Sequence, residues 1–267
     1  MAALTSFDRR RVNGPEESFT PVFDLEDSPP STKPGKRVGR QPTDTRSIFL
    51  QPGLISQANG SAYIETERTK IACAVYGPRQ SKNTSYSEQG RLNVEVKFTP
   101  FSCTRRRAPI RDAEDRSLAV AIHQALLSSI RLELLPKSTI DIFLMIIEAD
   151  GIEGCVASGA IAASTALAVA GIEMLGLVTS CTACITGDEI WLDPTEEEAR
   201  TSNGTLVLSC MPALGTVTSV WQNGKMETSQ AITSMEACEE RCTEIHSVVA
   251  QALLEHANKN DDTSNLS

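Results

Sequence analysis

Over residues 47–78 short apolar runs are broken by Pro52-Gly53, Asn59-Gly60 and a charged stretch at 65–70, a pattern that predicts a hairpin-rich sheet. In RLNVEVKF the period is two, which sets Leu92, Val94, Val96 and Phe98 on one face. The period then lengthens. Leu118, Ile122, Leu126 and Ile130 predict a helix starting near Asp112, where Glu114 and Asp115 suit the positive end of its dipole. STIDIFLMIIEA is almost wholly apolar and β-branched, and predicts a central strand buried on both faces. It leads through Asp150-Gly151 into SGAIAASTALAVAGIEM, a helix whose alanine-rich surface permits close packing on a sheet.

The second half repeats the theme. GLVTSCTACIT, EIWLD, GTLVLSCM and GTVTSVW predict four more strands, with Asn223-Gly224 a hairpin turn signal. A last helix over 229–256 keeps three-to-four spacing through Ile232, Met235, Cys238, Cys242, Ile245, Val249 and Leu253. Runs of strands followed by helices indicate an α+β domain of mixed sheets with packed helices. Outside this body the periodicity stops. Residues 1–45 hold six of the thirteen prolines, and 257–267 are polar. The expected organisation is a tail over 1–45 that is disordered or laid on a partner, a domain over 46–256, and a flexible tail over 257–267.

Composition adds exclusions. Hydrophobic residues make up 40% of the chain, enough for one large core or two small ones. With 25 Lys+Arg against 34 Asp+Glu the net charge is −9, which weighs against a protein that coats nucleic acid in bulk but says little about one local basic patch. No apolar run approaches the roughly 20 residues of a bilayer crossing, and the first residues lack the apolar core of a secretory signal. No membrane, and an intracellular, reducing setting, are therefore expected. Eight cysteines invite a zinc reading of Cys181, Cys184, Cys238 and Cys242. An odd separation in a strand, however, sends Cys181 and Cys184 to opposite faces, and Cys238 and Cys242 lie on one apolar helical stripe. Core packing is the better reading, and no metal or other cofactor is expected.

Three segments are candidates for function: the basic loop CTRRRAPIR, the turn EADGIEG and the acidic loop DPTEEEAR. Each alone also fits a solvated loop, a tight turn or an acidic helix start. The three histidines fall in expected helices, and no Ser-His-Asp, zinc or Walker pattern is present.

The order of segments is more specific. PGLISQANGSAYIETERTKIACAVYGPR, VKFTPFS with its basic loop, PKSTIDIFLMIIEADG, AASTALAVAGIEM, and WLDPTEEEA through LSCMPALGTV together resemble the RNase PH family over about residues 46–254. The resemblance implies an RNase PH-like (ribosomal S5 domain 2-like) fold, a six-membered ring, and phosphate-dependent 3′→5′ exoribonuclease activity or an inactive relative of it. The arginine-rich loop and Gly14-Pro15-Glu16-Glu17-Ser18 resemble a ring subunit of the eukaryotic RNA exosome. That implies a heterodimer with another RNase PH-like subunit inside a hetero-hexameric ring, contact with S1-type cap subunits and RNA, and roles in ribosomal-RNA maturation and RNA turnover. It also implies a location in nucleus, nucleolus and cytoplasm.

Carried over position by position, the resemblance separates fold from chemistry. In active members a Gly-Gly-Thr-Arg turn holds phosphate; aligned on Ala149-Asp150-Gly151, this chain continues with Ile152, Glu153 and Gly154. A carboxylate replaces the hydroxyl and glycine the arginine, so a charge-assisted contact is lost and a repulsive one gained. The two aspartates that serve metal and proton fall on Ala199 and Thr205, neither of which binds a divalent ion as a carboxylate does. With Glu153, Gly154, Ala199 and Thr205 at the family's catalytic positions, the chain is expected not to be an enzyme. An active phosphorolytic exoribonuclease using Glu196, Glu197 or Glu198 in a shifted register is the alternative. An Arg-Arg pair that grips RNA in archaeal relatives falls on Asp115 and Arg116. Arg105, Arg106, Arg107 and Arg111, in the loop that faces the pore entrance of such rings, complete with Arg116 the expected RNA-binding set, indifferent to base sequence. Pairing of these arginines with acids of a neighbouring subunit, and a stand-alone RNA-binding adaptor, are the other readings.

Overall fold

The computed structural model describes residues 37, 39–80, 87–103, 106–107, 113–187 and 189–264. The first sheet contains β1 (Phe49–Pro52), β2 (Gly60–Thr66), β3 (Thr69–Gln80), β4 (Arg91–Phe98) and β5 (Ser138–Glu148) in the order β1-β2-β3-β5-β4. All its pairs are antiparallel except β4 with β5, and that parallel pair needs a crossover, which carries α1 (Ala113–Leu127). Ile64, Ile71, Cys73, Val75, Leu92, Val96, Ile140, Ile142, Leu144 and Ile146 turn one face of this sheet into the main core. Leu118, Ile122 and Leu126 of α1 meet them there. Ile130 is buried as expected, but beyond the helix, in a bridge to Met174.

β5 departs from expectation. Its burial alternates, with Phe143 and Met145 42% and 50% exposed, because helices cover only one face of the first sheet. Apolar composition alone cannot distinguish this half-open strand from one enclosed on both sides.

α2 (Ile152–Val169) begins earlier than its alanine-rich stretch, directly after Gly151 at φ 90°, and every residue from Gly154 to Leu167 is buried. It lies between the two sheets, against β2 and β3 on one side and β6 and β8 on the other. Small side chains make that possible. A Cβ at Gly60 would stand 2.2 Å from the Ala166 carbonyl oxygen, and one at Gly159 would stand 2.9 Å from Ile122 Cδ1. α2 is also long and apolar enough to cross a membrane by composition, but 78% of it is buried inside the protein, as befits a core helix.

The second sheet, β6 (Thr179–Thr186), β7 (Glu189–Leu192), β8 (Gly204–Met211) and β9 (Thr216–Gly224), is antiparallel throughout in the order β7-β6-β8-β9. α3 (Glu196–Thr201) joins β7 to β8. The β8–β9 turn uses Pro212–Leu214 and Gly215 at φ 60°, whereas Asn223 and Gly224 end β9, opposite Thr205 and Gly204. The expected hairpin turn is thus displaced, because Asn-Gly here closes a strand instead of reversing it.

α4 (Thr228–Ser264) covers the outer face of this sheet, and Cys181, Cys210, Cys238 and Cys242 meet in a second apolar cluster with Leu192, Leu206 and Leu208. Cys184 is absent from that cluster, as its odd separation from Cys181 requires. All eight cysteines are free, seven of them buried.

Both expected tails are shorter where described. α4 runs on through residues 257–264, since its polar stretch contains no proline or glycine to stop it. Residues 37 and 39–45 lie on the body, drawn there by arginines that the composition of the tail obscured. Residues 1–36 lie outside the described residues.

Gly60→Ala should force the β2 backbone away from α2 and lower the unfolding free energy by about 3 kcal/mol, measured by denaturant titration. An unchanged midpoint would contradict the close approach.

Candidate functional site

The turn after β5, the start of α2, α3 and the first residues of β8 meet at one place. Gly151, in the left-handed region, lets the chain turn from β5 into α2 within a single residue. Glu153 follows in the first turn of α2, where its carboxylate offsets the positive end of the helix dipole. Across the cleft Thr205, 5% exposed at the start of β8, donates its hydroxyl to Glu153 Oε1 at 3.0 Å. Two of the four positions singled out from the sequence are therefore bonded to each other. Gly154 is buried beside them, and a Cβ there would meet only Thr69 Oγ1 at 3.8 Å, so steric crowding does not require glycine. Ala199 lies on α3.

Two of the three glutamates of α3, Glu196 and Glu198, are already engaged. Glu198 forms a capping box with Thr195, its backbone N–H donating to Thr195 Oγ1 at 3.3 Å and its carboxylate accepting from Thr195 N at 3.0 Å. Glu196 pairs with Arg200 at 2.5 Å. The Glu196 backbone N–H donates to Asp150 Oδ1 at 3.1 Å, which ties α3 to the turn below α2.

Around this cleft lies a group of charges that the sequence reading did not identify. Arg46, 7% exposed, donates from Nη2 to Asp193 Oδ1 at 2.6 Å and from Nε to Asp193 Oδ2 at 2.8 Å, and its Nη1 bonds to Asp150. Burial alone would lower the Arg46 pKa, but its bonds to Asp193 and Asp150 leave it raised. Burial would likewise raise Asp193, yet the hydrogen bonds and charge of Arg46 hold it below the usual carboxylate range. Arg37 lies alongside, donating to the carbonyls of Leu192 at 2.6 Å and Asp193 at 2.9 Å and to Glu198 Oε1 at 3.2 Å. Arg40 reaches Asp193 at 3.4 Å. The only local signal for this arm is three arginines within ten residues, whose partners are about 150 residues away.

The basic loop divides. Arg107 lies 3.9 Å over the Phe98 ring, pairs with Glu114 at 2.9 Å and Asp115 at 3.6 Å, and donates to the Cys103 thiol at 3.3 Å. These partners anchor it inside the subunit. Arg106 and Arg116 are exposed. Arg105 and Arg111 lie outside the described residues.

Two family models match in tandem: the 3′ exoribonuclease family, domain 1, over residues 44–173, and domain 2 over residues 176–238. The chain belongs to the RNase PH family. Among its relatives in that family, the exosome complex component mtr3 of Schizosaccharomyces pombe is 36% identical over 259 residues, spanning 96% of this chain and 99% of that protein. Among solved structures, rice (Oryza sativa) Rrp46 superposes with a TM-score of 0.72 at 20% identity, covering 80% of this chain and 98% of the other. A chain of the Archaeoglobus fulgidus exosome with RNA bound to the active site gives 0.71 at 18%, covering 80% and 92%. The expected RNase PH-like α+β fold is thereby established.

Because the folded-state pKa of Asp193 is depressed, its pairing stabilises the protein fully above the ordinary aspartate value of about 3.9 and weakens as pH falls below it. Asp193→Asn is expected to cost about 3 kcal/mol at neutral pH and to flatten the loss of stability below about pH 4. Parallel acid limbs for the two proteins, followed by denaturant unfolding, would contradict the pairing.

Proposed function

We propose that this chain is a non-catalytic subunit of an RNA exosome ring, of the kind called Mtr3 in its relatives, assembling with other RNase PH-like subunits and guiding RNA without cleaving it. The observation that carries this reading is the Thr205–Glu153 hydrogen bond. Glu153 places a negative charge at the helix N-terminus, where an incoming phosphate would otherwise be favoured, and Thr205 offers a hydroxyl in place of a metal-binding carboxylate. The alternative, catalysis by displaced acids, is disfavoured because Glu196 and Glu198 are already paired within the subunit. Full-length similarity to Mtr3 proteins supports ring membership over a stand-alone adaptor. In this reading the subunit supports ribosomal-RNA maturation and RNA turnover in nucleus, nucleolus and cytoplasm, and meets S1-type cap subunits.

Purified protein incubated with RNA, phosphate and magnesium is expected to release no nucleoside diphosphate. Release that disappears on replacing Glu196, Glu197 and Glu198 with Gln would establish the enzymatic alternative instead.

For the RNA path, Arg106 and Arg116 are the described members of the basic set free to meet phosphodiesters. Replacing both with Ala should lower the slope of log affinity against log salt of the assembled ring by about 1.4, the value for two phosphate contacts on a single strand. Arg107→Ala should leave that slope unchanged while reducing thermal stability, since it removes internal partners. A slope that follows Arg107 and ignores the other two would reverse the assignment.

A further inference from the structure

Four of the eight cysteines converge between the second sheet and α4. Cys181 on β6 and Cys210 on β8 are diagonal neighbours across the paired strands, since Leu208 stands opposite Cys181 and Thr179 opposite Cys210. Cys238 and Cys242 lie one turn apart on α4, and all four share the buried cluster with Leu192, Leu206 and Leu208. Apolar packing asks only for small side chains at these positions, whereas the four sulfurs are arranged as hydrogen-bonding partners.

α4 sets one cysteine against each strand. The Cys238 thiol is hydrogen-bonded to Cys181, and the Cys242 thiol to Cys210. The two pairs differ, because Cys181 commits its own S–H to the Thr182 carbonyl at 3.7 Å. At the other pair one hydroxyl touches both residues: Thr179 Oγ1 donates to the Cys242 carbonyl at 3.2 Å and lies 3.9 Å from Cys210 Sγ. The bond from Cys242 holds the Cys210 pKa below the ordinary thiol value against the effect of burial, while that bond and burial together push Cys242 up. Cys210 is thus the better nucleophile of the two, and Cys242 stands beside it as the resolving thiol.

We infer that Cys210 and Cys242 form a dithiol site that a peroxide oxidises to a disulfide, which fastens α4 to β8. Its chemistry does not depend on ring membership. The Cys210 sulfur attacks one oxygen of hydrogen peroxide, the O–O bond breaks, and the departing hydroxide leaves as water with the thiol proton. The resulting sulfenic acid is attacked by the Cys242 sulfur, which forms the S–S bond and releases the second oxygen as water with the Cys242 proton. Two thiols are oxidised and one peroxide is reduced to two waters. Because Cys210 is 2% exposed and Cys242 wholly buried, peroxide enters during local opening of α4, so half-buried Cys103 reacts first. Once formed, the link opposes the same opening.

The test treats the reduced, folded, full-length chain with hydrogen peroxide, alkylates the remaining thiols after unfolding, and maps peptides by mass spectrometry without reductant. A peptide pair joined through Cys210 and Cys242, separated again by dithiothreitol, is expected. Amides of α4 around Cys242 should then exchange about thirtyfold or more slowly than in the reduced chain. Cys242→Ser should leave Cys210 as a sulfenic acid that dimedone traps, in place of a disulfide. If that variant misfolds, mapping of the unaltered chain still decides. Recovery of Cys210 and Cys242 as alkylated thiols after Cys103 is fully oxidised overturns the proposal, as does a link of either residue to another cysteine. A Cys210–Cys242 link that leaves exchange unchanged overturns the fastening of α4.

Discussion

The Arg46 guanidinium is where the two halves of the molecule are fastened. Asp150 follows the last strand of the first sheet and Asp193 follows β7 of the second, and both carboxylates bond to the same side chain. In this poorly solvated place none of the three charges is tolerable alone, so the arrangement is held as a set. Its consequences extend outward. The second oxygen of Asp150 fixes the start of α3, Asp193 and its neighbour Leu192 offer carbonyls to Arg37, and the arm laid down by Arg37 covers the edge of β7. The clasp thus connects the cleft between α2, α3 and β8 to both sheets.

α2 depends on the same constraint. A helix enclosed on every side must have a small cross-section, and the run from Gly154 to Leu167 is rich in Ala, Gly and Ser. The glycine at position 60 then lets β2 approach until only a hydrogen atom fits between strand and helix. Charge at the seam and smallness in the core solve one problem, the close approach of two sheets across a single helix.

Much of this was legible in the chain. The period-two face of β4, the apolar stripes of α1 and α4, and the opposite orientations of Cys181 and Cys184 follow from local geometry, and local geometry is what periodicity reports. The failures have a common cause. The open face of β5, the displaced β8–β9 turn and the attachment of residues 39–45 all depend on what lies across the fold, which no window of neighbouring residues contains. Within the candidate site, attention to positions 153, 154, 199 and 205 came from family resemblance. That Glu153 and Thr205 bond to each other, and that Arg107 is committed to Phe98, Glu114 and Asp115, required coordinates.

In the cleft, the residues that hold the walls are distinct from those at positions 153, 154, 199 and 205. Its walls are held by Arg46, Asp150, Asp193 and the α3 capping box, none of which is among those four. Glu153 and Thr205 lie outside that clasp, and the hydrogen bond between them gives the buried Thr205 hydroxyl its partner. The same separation gives the charge distribution its meaning. The net charge of −9 describes the whole chain, but the acids at the cleft answer internal arginines and a helix dipole, whereas Arg106 and Arg116 face solvent. The charges of Asp150 and Asp193 are thus answered inside the subunit, while those of Arg106 and Arg116 stand on its surface.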